Sequence, residues 1–85
     1  MSIPIDRPLT DSERSIMLHC AVTSIARQSD CTAAVAADAL DDLAAQGDVW
    51  LRADAHDARI VVCGHSIAHM DREDLAAAAL EEQNR

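Results

Sequence analysis

Along this 85-residue chain the apolar positions change period twice, from helical to alternating and back to helical. Leu18, Val22, Ile25 and Ala26 recur at three- and four-residue spacing, with Met17 and Ala21 beside them, while Glu13, Arg14 and Arg27 fall outside the set. That pattern predicts an amphipathic helix from Asp11 to Gln28 with one buried and one wet face. Thr10-Asp11-Ser12-Glu13 supplies its start, because a Thr hydroxyl and a Glu carboxylate three residues apart can satisfy the first unpaired amides reciprocally. Ser29, Asp30 and Thr32 form a polar break with three possible caps. Val35, Ala36, Ala39, Leu40, Leu43 and Ala44 then predict a second helix that ends before Gly47, a residue suited to left-handed backbone past a helix end.

Beyond Gly47 the period becomes that of a sheet. Val49-Trp50-Leu51-Arg52 reads as a strand, 54–58 as a loop, and Arg59-Ile60-Val61-Val62-Cys63 as a central strand buried on both faces. Gly64 marks a tight turn and His65 to Met70 a third strand, which completes an antiparallel meander. Asp71 is positioned to cap a last helix with Leu75, Ala76, Ala79 and Leu80 on its buried stripe, and the chain closes with polar residues from Glu81 to Arg85. The expected fold class is therefore α+β: two N-terminal helices, a three-stranded antiparallel meander and a C-terminal helix. Residues 1–85 form one domain, since no repeat or linker divides them. Residues 1–9, with Pro4 and Pro8 set among Ile3, Ile5 and Leu9, read as an extended arm that lays apolar side chains on its own core or on a neighbour.

Composition makes that core thin. Leu, Ile and Val supply 18 residues, Phe and Tyr are absent, and Trp50 is the only aromatic. Alanine fills the gap with good helix propensity but little buried area, so the chain is expected to form a homodimer or bind a protein partner. Eleven Asp and four Glu against seven Arg and no Lys give a formal net charge of −8. Such a surface repels phosphate and counts against nucleic acid, whose binders usually carry a basic stripe. No apolar run approaches the ~20 residues of a membrane span, and no signal peptide is evident, so the expected location is the cytoplasm. Cys20, Cys31 and Cys63, without a CxxC, are expected to be reduced, small and buried or half-buried.

The candidate chemistry is sparse. Cys63, His65 and His69, with Cys20 or His19 in reach, are zinc-type ligands, but a strand separates His65 from His69 by about 13 Å and the paired spacing of structural zinc sites is missing. A Cys-His nucleophile pair would require a thiolate that burial of Cys63 suppresses. No phosphate loop, GxSxG or HExxH is present. The expectation is no enzyme activity, no catalytic residue, no metal site and no cofactor. Asp38, Asp41 and Asp42 read as a solvated helix face.

Trp50 is the residue that stands out. If Val49, Leu51 and Ala53 face the helices, alternation sends Trp50, Arg52 and Asp54 to the other side of the sheet, where a Trp beside an Arg has the composition of an interface hot spot. A reversed register, or an N-terminal arm folded over the ring, would hide it. The expected partner-binding residues are Trp50 and Arg52 on the sheet with Ile3 and Ile5 on the arm.

From Ala34 to Val62, the series Ala36, Ala39, Leu40, Leu43, Gly47, Val49, Leu51 and Arg52 followed by a hairpin resembles the recognition helix and wing of winged-helix proteins. The resemblance implies a DNA-binding transcriptional regulator. Against it, the short intermediate helix of that family has no room between the two helices, and Asp38, Asp41 and Asp42 stand where basic residues would read DNA. In size and in its Arg-only, Ala- and Asp-rich usage, the chain is also similar to small accessory proteins of actinobacterial phages. The leading expectation is thus a small non-enzymatic regulatory or interaction protein that binds another protein, such as a host factor, with the winged-helix regulator as its alternative.

Overall fold

The ends of the first two helices are set by local hydrogen-bond devices. In the computed structural model, which describes residue 5 and residues 7–83, helix α1 covers Asp11–Ser29 and α2 covers Ala33–Ala45. Strands β1 (Val49–Ala53), β2 (Asp57–Val62) and β3 (His65–Asp71) follow, and α3 (Arg72–Gln83) closes the order. The α+β layout read from the sequence is the layout found.

The predicted capping box is present in both directions. Thr10 Oγ1 accepts from the Glu13 amide at 3.2 Å, and the Thr10 amide donates to Glu13 Oε1 at 2.9 Å. Asp30, with φ +51°, ends α1 in left-handed backbone, and Thr32 is the cap of α2, accepting from the Val35 amide. At the end of α2 the Gly47 amide donates to Ala44 and the Asp48 amide to Leu43, the bonding of a Schellman motif around Gly47 at φ +81°.

The sheet is antiparallel in the order β1-β2-β3, so β2 is central as expected. Its inner face carries Val49, Leu51, Ala58, Ile60, Val62, Ala68 and Met70, packed on Met17 and Ala21 of α1, Leu40 of α2 and Leu75 of α3. Met17, Ile60 and Leu75 are fully buried, each worth roughly 1.5–3 kcal/mol relative to exposure. A shift in the β2–β3 register between Ile60 and Val61 sets Ala68 opposite Ile60 and Ser66 opposite Val61, so β3 spends one extra residue, Ile67, which also packs toward the core.

Several expectations are corrected. The core stripe of α1 is Glu13, Met17 and Ala21, while Leu18 is 43% exposed, because the sheet takes the face one residue away from the most apolar one. Leu80 is 62% exposed, and Val35 is exposed on α2. The segment 54–58 is not all loop: β2 begins at Asp57 and pairs Ala58 with Ala53. Asp71 does stand at the expected cap position just before α3, but it is also the last residue of β3. Central β2 is covered on one face alone, with Arg59 exposed and Val61 half-buried on the other. Cys63 is exposed, since Val62 pairs with His65 and leaves Cys63 and Gly64 as the two turn residues, both at positive φ (+51° and +84°).

The arm is held at the β1–β2 end of the sheet. The Ile5 amide donates to the Ala55 carbonyl at 2.8 Å, and Leu9 packs on the core. Arg72, 2% exposed, fastens this end: Nη1 donates to the Asp54 carbonyl, Nη2 to the Arg7 carbonyl, and its amide to the His56 carbonyl. The arm and the β1–β2 turn therefore converge on one guanidinium. Its Nε is buried without a hydrogen-bond partner.

Candidate functional site: the outer face of the sheet

Alternation along three paired strands fixes what the uncovered face presents. Trp50 lies opposite Val61, and Val61 opposite Ser66, which makes a first row near the Cys63-Gly64 turn. Next comes a basic row, in which Arg52 is the direct cross-strand partner of Arg59, and Arg59 of His69. The third row is acidic: Asp57 pairs with Asp71, and Asp54, just past the end of β1, donates its amide to the Asp57 carbonyl at 2.9 Å. The face thus runs from apolar through basic to acidic over about 14 Å, two steps of the alternation.

Trp50 is 58% exposed, so the register is the one that turns it outward, and no described residue of the arm covers it. Arg52 shares its face. Ile5 does not: it sits half-buried against Ala55, at the opposite end of β1 from Trp50. The structure therefore separates Ile5 from Trp50 and Arg52, and Ile3 lies outside the described residues.

Electrostatics within the face are uneven. Like charges directly opposite one another on neighbouring strands are unfavourable, and both the Arg52–Arg59 and the Asp57–Asp71 pairs are of this kind. His69 Nε2 lies 3.2 Å from Asp57 Oδ1, which relieves the acidic row when the imidazole is protonated. Neither Arg52 nor Arg59 makes an ion pair among the described residues. The Asp54 carboxyl is held below its ordinary range, first by the Asp57 and His56 amides that donate to Oδ1 at 2.7 and 2.8 Å, and then by the nearby His56 and Arg59 charges. An open depression of about 310 Å³ between the two charged rows is lined by Arg52, Ala53, Asp54, Asp57 and Arg59. It is at the small end of ligand sites and wide open, unlike the enclosed pockets that bury small substrates.

The ligand-type residues fall out differently from the sequence reading. Cys63 is in the turn, and His65 and His69 stand four apart on β3. His69 joins Asp57 and Asp71 instead, with one donor atom from each within 4.8 Å of the others. An imidazole and two carboxylates are a donor set that could hold a divalent cation, although Arg59 directly opposite His69 works against it. Sequence reasoning missed this group because it placed Asp57 in a loop and Asp71 in a helix cap. The signal was present as Asp57 and Asp71 flanking the β2–β3 hairpin symmetrically.

No family model matches the chain, and no curated protein matches it. Among solved structures, a crystal structure of a bacterial toxin from Mycobacterium tuberculosis superposes with a TM-score of 0.82 at 36% sequence identity, covering 85% of this chain and 97% of that one. This likeness overturns the expectation of a regulatory or host-factor-binding protein, and with it the winged-helix transcriptional regulator; its actinobacterial source is compatible with the composition. Identity at that level over nearly the whole of the other chain shows common descent, and this protein belongs to the same family as the M. tuberculosis protein.

Proposed function

We propose that this protein is a bacterial toxin, silenced in the cell that makes it by a protein partner. The observation that carries the reading is the 36% identity and 0.82 TM-score to a toxin over 97% of that toxin's length. A toxin made inside its own producer must be neutralised, and the exposed ring of Trp50 beside Val61 is the kind of surface that a neutralising protein anchors on. No helix among the described residues is long and apolar enough to cross a membrane.

The proposal assigns no catalytic residue. Cys63, His65 and His69 are the nucleophile and base candidates; Cys63 is exposed in the β2–β3 turn, so burial does not suppress its thiol as expected, but no hydrogen bond among the described residues joins it to His65 or His69. Inducible expression in an actinobacterial host tests both parts. Growth should arrest on induction, with colony counts falling by at least about tenfold, and the Cys63→Ala/His65→Ala/His69→Ala chain should arrest growth equally. Unimpaired growth at an induced level visible on a gel would refute toxicity, and loss of arrest in a folded triple variant would refute the non-catalytic assignment.

A further inference from the structure

The basic and acidic rows of the outer face are complementary to each other, and we infer that this face docks against a second copy of the same chain. The geometry follows from the register. Consider a two-fold axis lying in the plane of the face, perpendicular to the strands and passing between the two rows. It leaves the strand order unchanged and exchanges the rows. Arg52 then meets Asp54 of the second copy, Arg59 meets Asp57, and His69 meets Asp71, with every pair repeated by symmetry. An axis along the strands would instead bring arginine onto arginine and aspartate onto aspartate, so the charge pattern selects one orientation.

Three observations support this occupant over others. Within one chain Arg52 and Arg59 stand side by side without an ion pair among the described residues and Asp57 stands opposite Asp71; His69 against Asp57 and the Arg59 charge near Asp54 relieve part of this repulsion, and the reversed rows of a second copy relieve the rest. An anionic partner would satisfy the basic row and leave the acidic row repelled; a cationic one would do the reverse. Only a partner with both rows in reversed order satisfies both, and the chain itself has them. The depression between the rows is lined by both signs of charge and lies where the axis would pass. The inference does not depend on the toxin reading, because it rests on the face alone.

An interface carried by exposed charge pairs belongs among weak, salt-sensitive ones. Sedimentation velocity of the full chain at about 100 μM should show a dimer in about 50 mM salt that weakens at least tenfold in about 500 mM. Arg59→Asp alone should be monomeric, since the introduced carboxylate would face Asp57 across the axis twice. Asp57→Arg alone should be monomeric for the converse reason. Mixed in equal amounts, the two monomeric variants should form a heterodimer, because both contacts then pair opposite charges, and the Arg59→Asp/Asp57→Arg chain should dimerise with itself. A monomeric wild-type protein in low salt overturns the inference, as does a mixture that stays monomeric. Dimerisation lost in Arg59→Asp but kept in Asp57→Arg would point to an interface between copies that does not use the reversed rows, and would overturn it as well. Circular dichroism identifies any variant that fails to fold, and the salt dependence of the wild-type dimer then decides alone.

Discussion

Arg7 Nη1 stands 2.6 Å from Glu13 Oε1, joining a half-exposed guanidinium on the arm to a carboxylate with no exposed surface on the first turn of α1. The same carboxylate accepts from the Thr10 amide, so Glu13 both caps the helix and anchors the arm. Glu13→Ala removes both roles and is expected to cost about 1–2 kcal/mol, the scale of a lost helix cap. Urea denaturation monitored by circular dichroism measures it, and an unchanged midpoint would show that the arm and the cap contribute nothing.

The same pair gives the protein a sensitivity to acid. Burial alone would raise the Glu13 pKa, but the Arg7 hydrogen bonds and the Thr10 amide and hydroxyl outweigh it and hold the group below its ordinary 4.5. A carboxyl depressed in the folded state contributes stability that is present above its unfolded pKa and lost as pH falls through the folded one. Asp54 is depressed too, by the amides in its turn. Stability should therefore be flat from neutral pH to near 5 and decline below about 4.5. In Glu13→Gln that decline should be shallower, and equal acid profiles for the two proteins would contradict the assignment.

The turn between β2 and β3 carries a correctable strain. Cys63 holds φ +51° next to Gly64 at +84°, in a position that favours Asn. Cys63→Asn should raise stability by about 0.5–1 kcal/mol. Gly47→Ala should lower it by about 1 kcal/mol through backbone strain alone, because a Cβ there meets no atom within 4 Å. Thermal melts of the two variants should move in opposite directions.

A thin core has little redundancy. Ile60 and Leu75 are fully buried in a cluster whose other members include three alanines, so truncating either to Ala should cost about 2–5 kcal/mol and leave the chain largely unfolded at 37 °C. Retained cooperative unfolding in Ile60→Ala would show that the core is better supplied than its side chains indicate.

Trp50 should behave as a surface residue in the isolated chain and as an anchor in a complex. Trp50→Ala is expected to change stability by no more than about 0.5 kcal/mol. It should leave growth arrest intact while weakening neutralisation by the cognate partner at least about tenfold. Rescue by the partner at undiminished potency would remove Trp50 from that interface.

Much of this architecture was written into short stretches of the chain. Strand alternation is a property of the backbone itself, so once Val49 and Leu51 face inward Trp50 and Arg52 must face out, and helix ends depend on bonds made within a few residues of Thr10, Thr32 and Gly47. The order of elements and the capping box follow from such local constraints, as does the placing of Trp50 and Arg52 on the face opposite Val49 and Leu51; which of the two faces turns outward does not. Packing and register decided the rest. Which stripe of α1 is buried depends on the angle at which the sheet meets it, and the choice of Glu13 over Leu18 became possible only because Arg7 arrives from the arm to compensate the charge. The rows of like charge, and the gathering of Asp57, His69 and Asp71, exist only through cross-strand pairing, which joins residues up to fourteen positions apart, as Asp57 and Asp71 are. A single sequence records each residue's alternation along its own strand; the alignment of one strand against the next is set by the hairpin turns and the shared core, and there the tertiary structure decided.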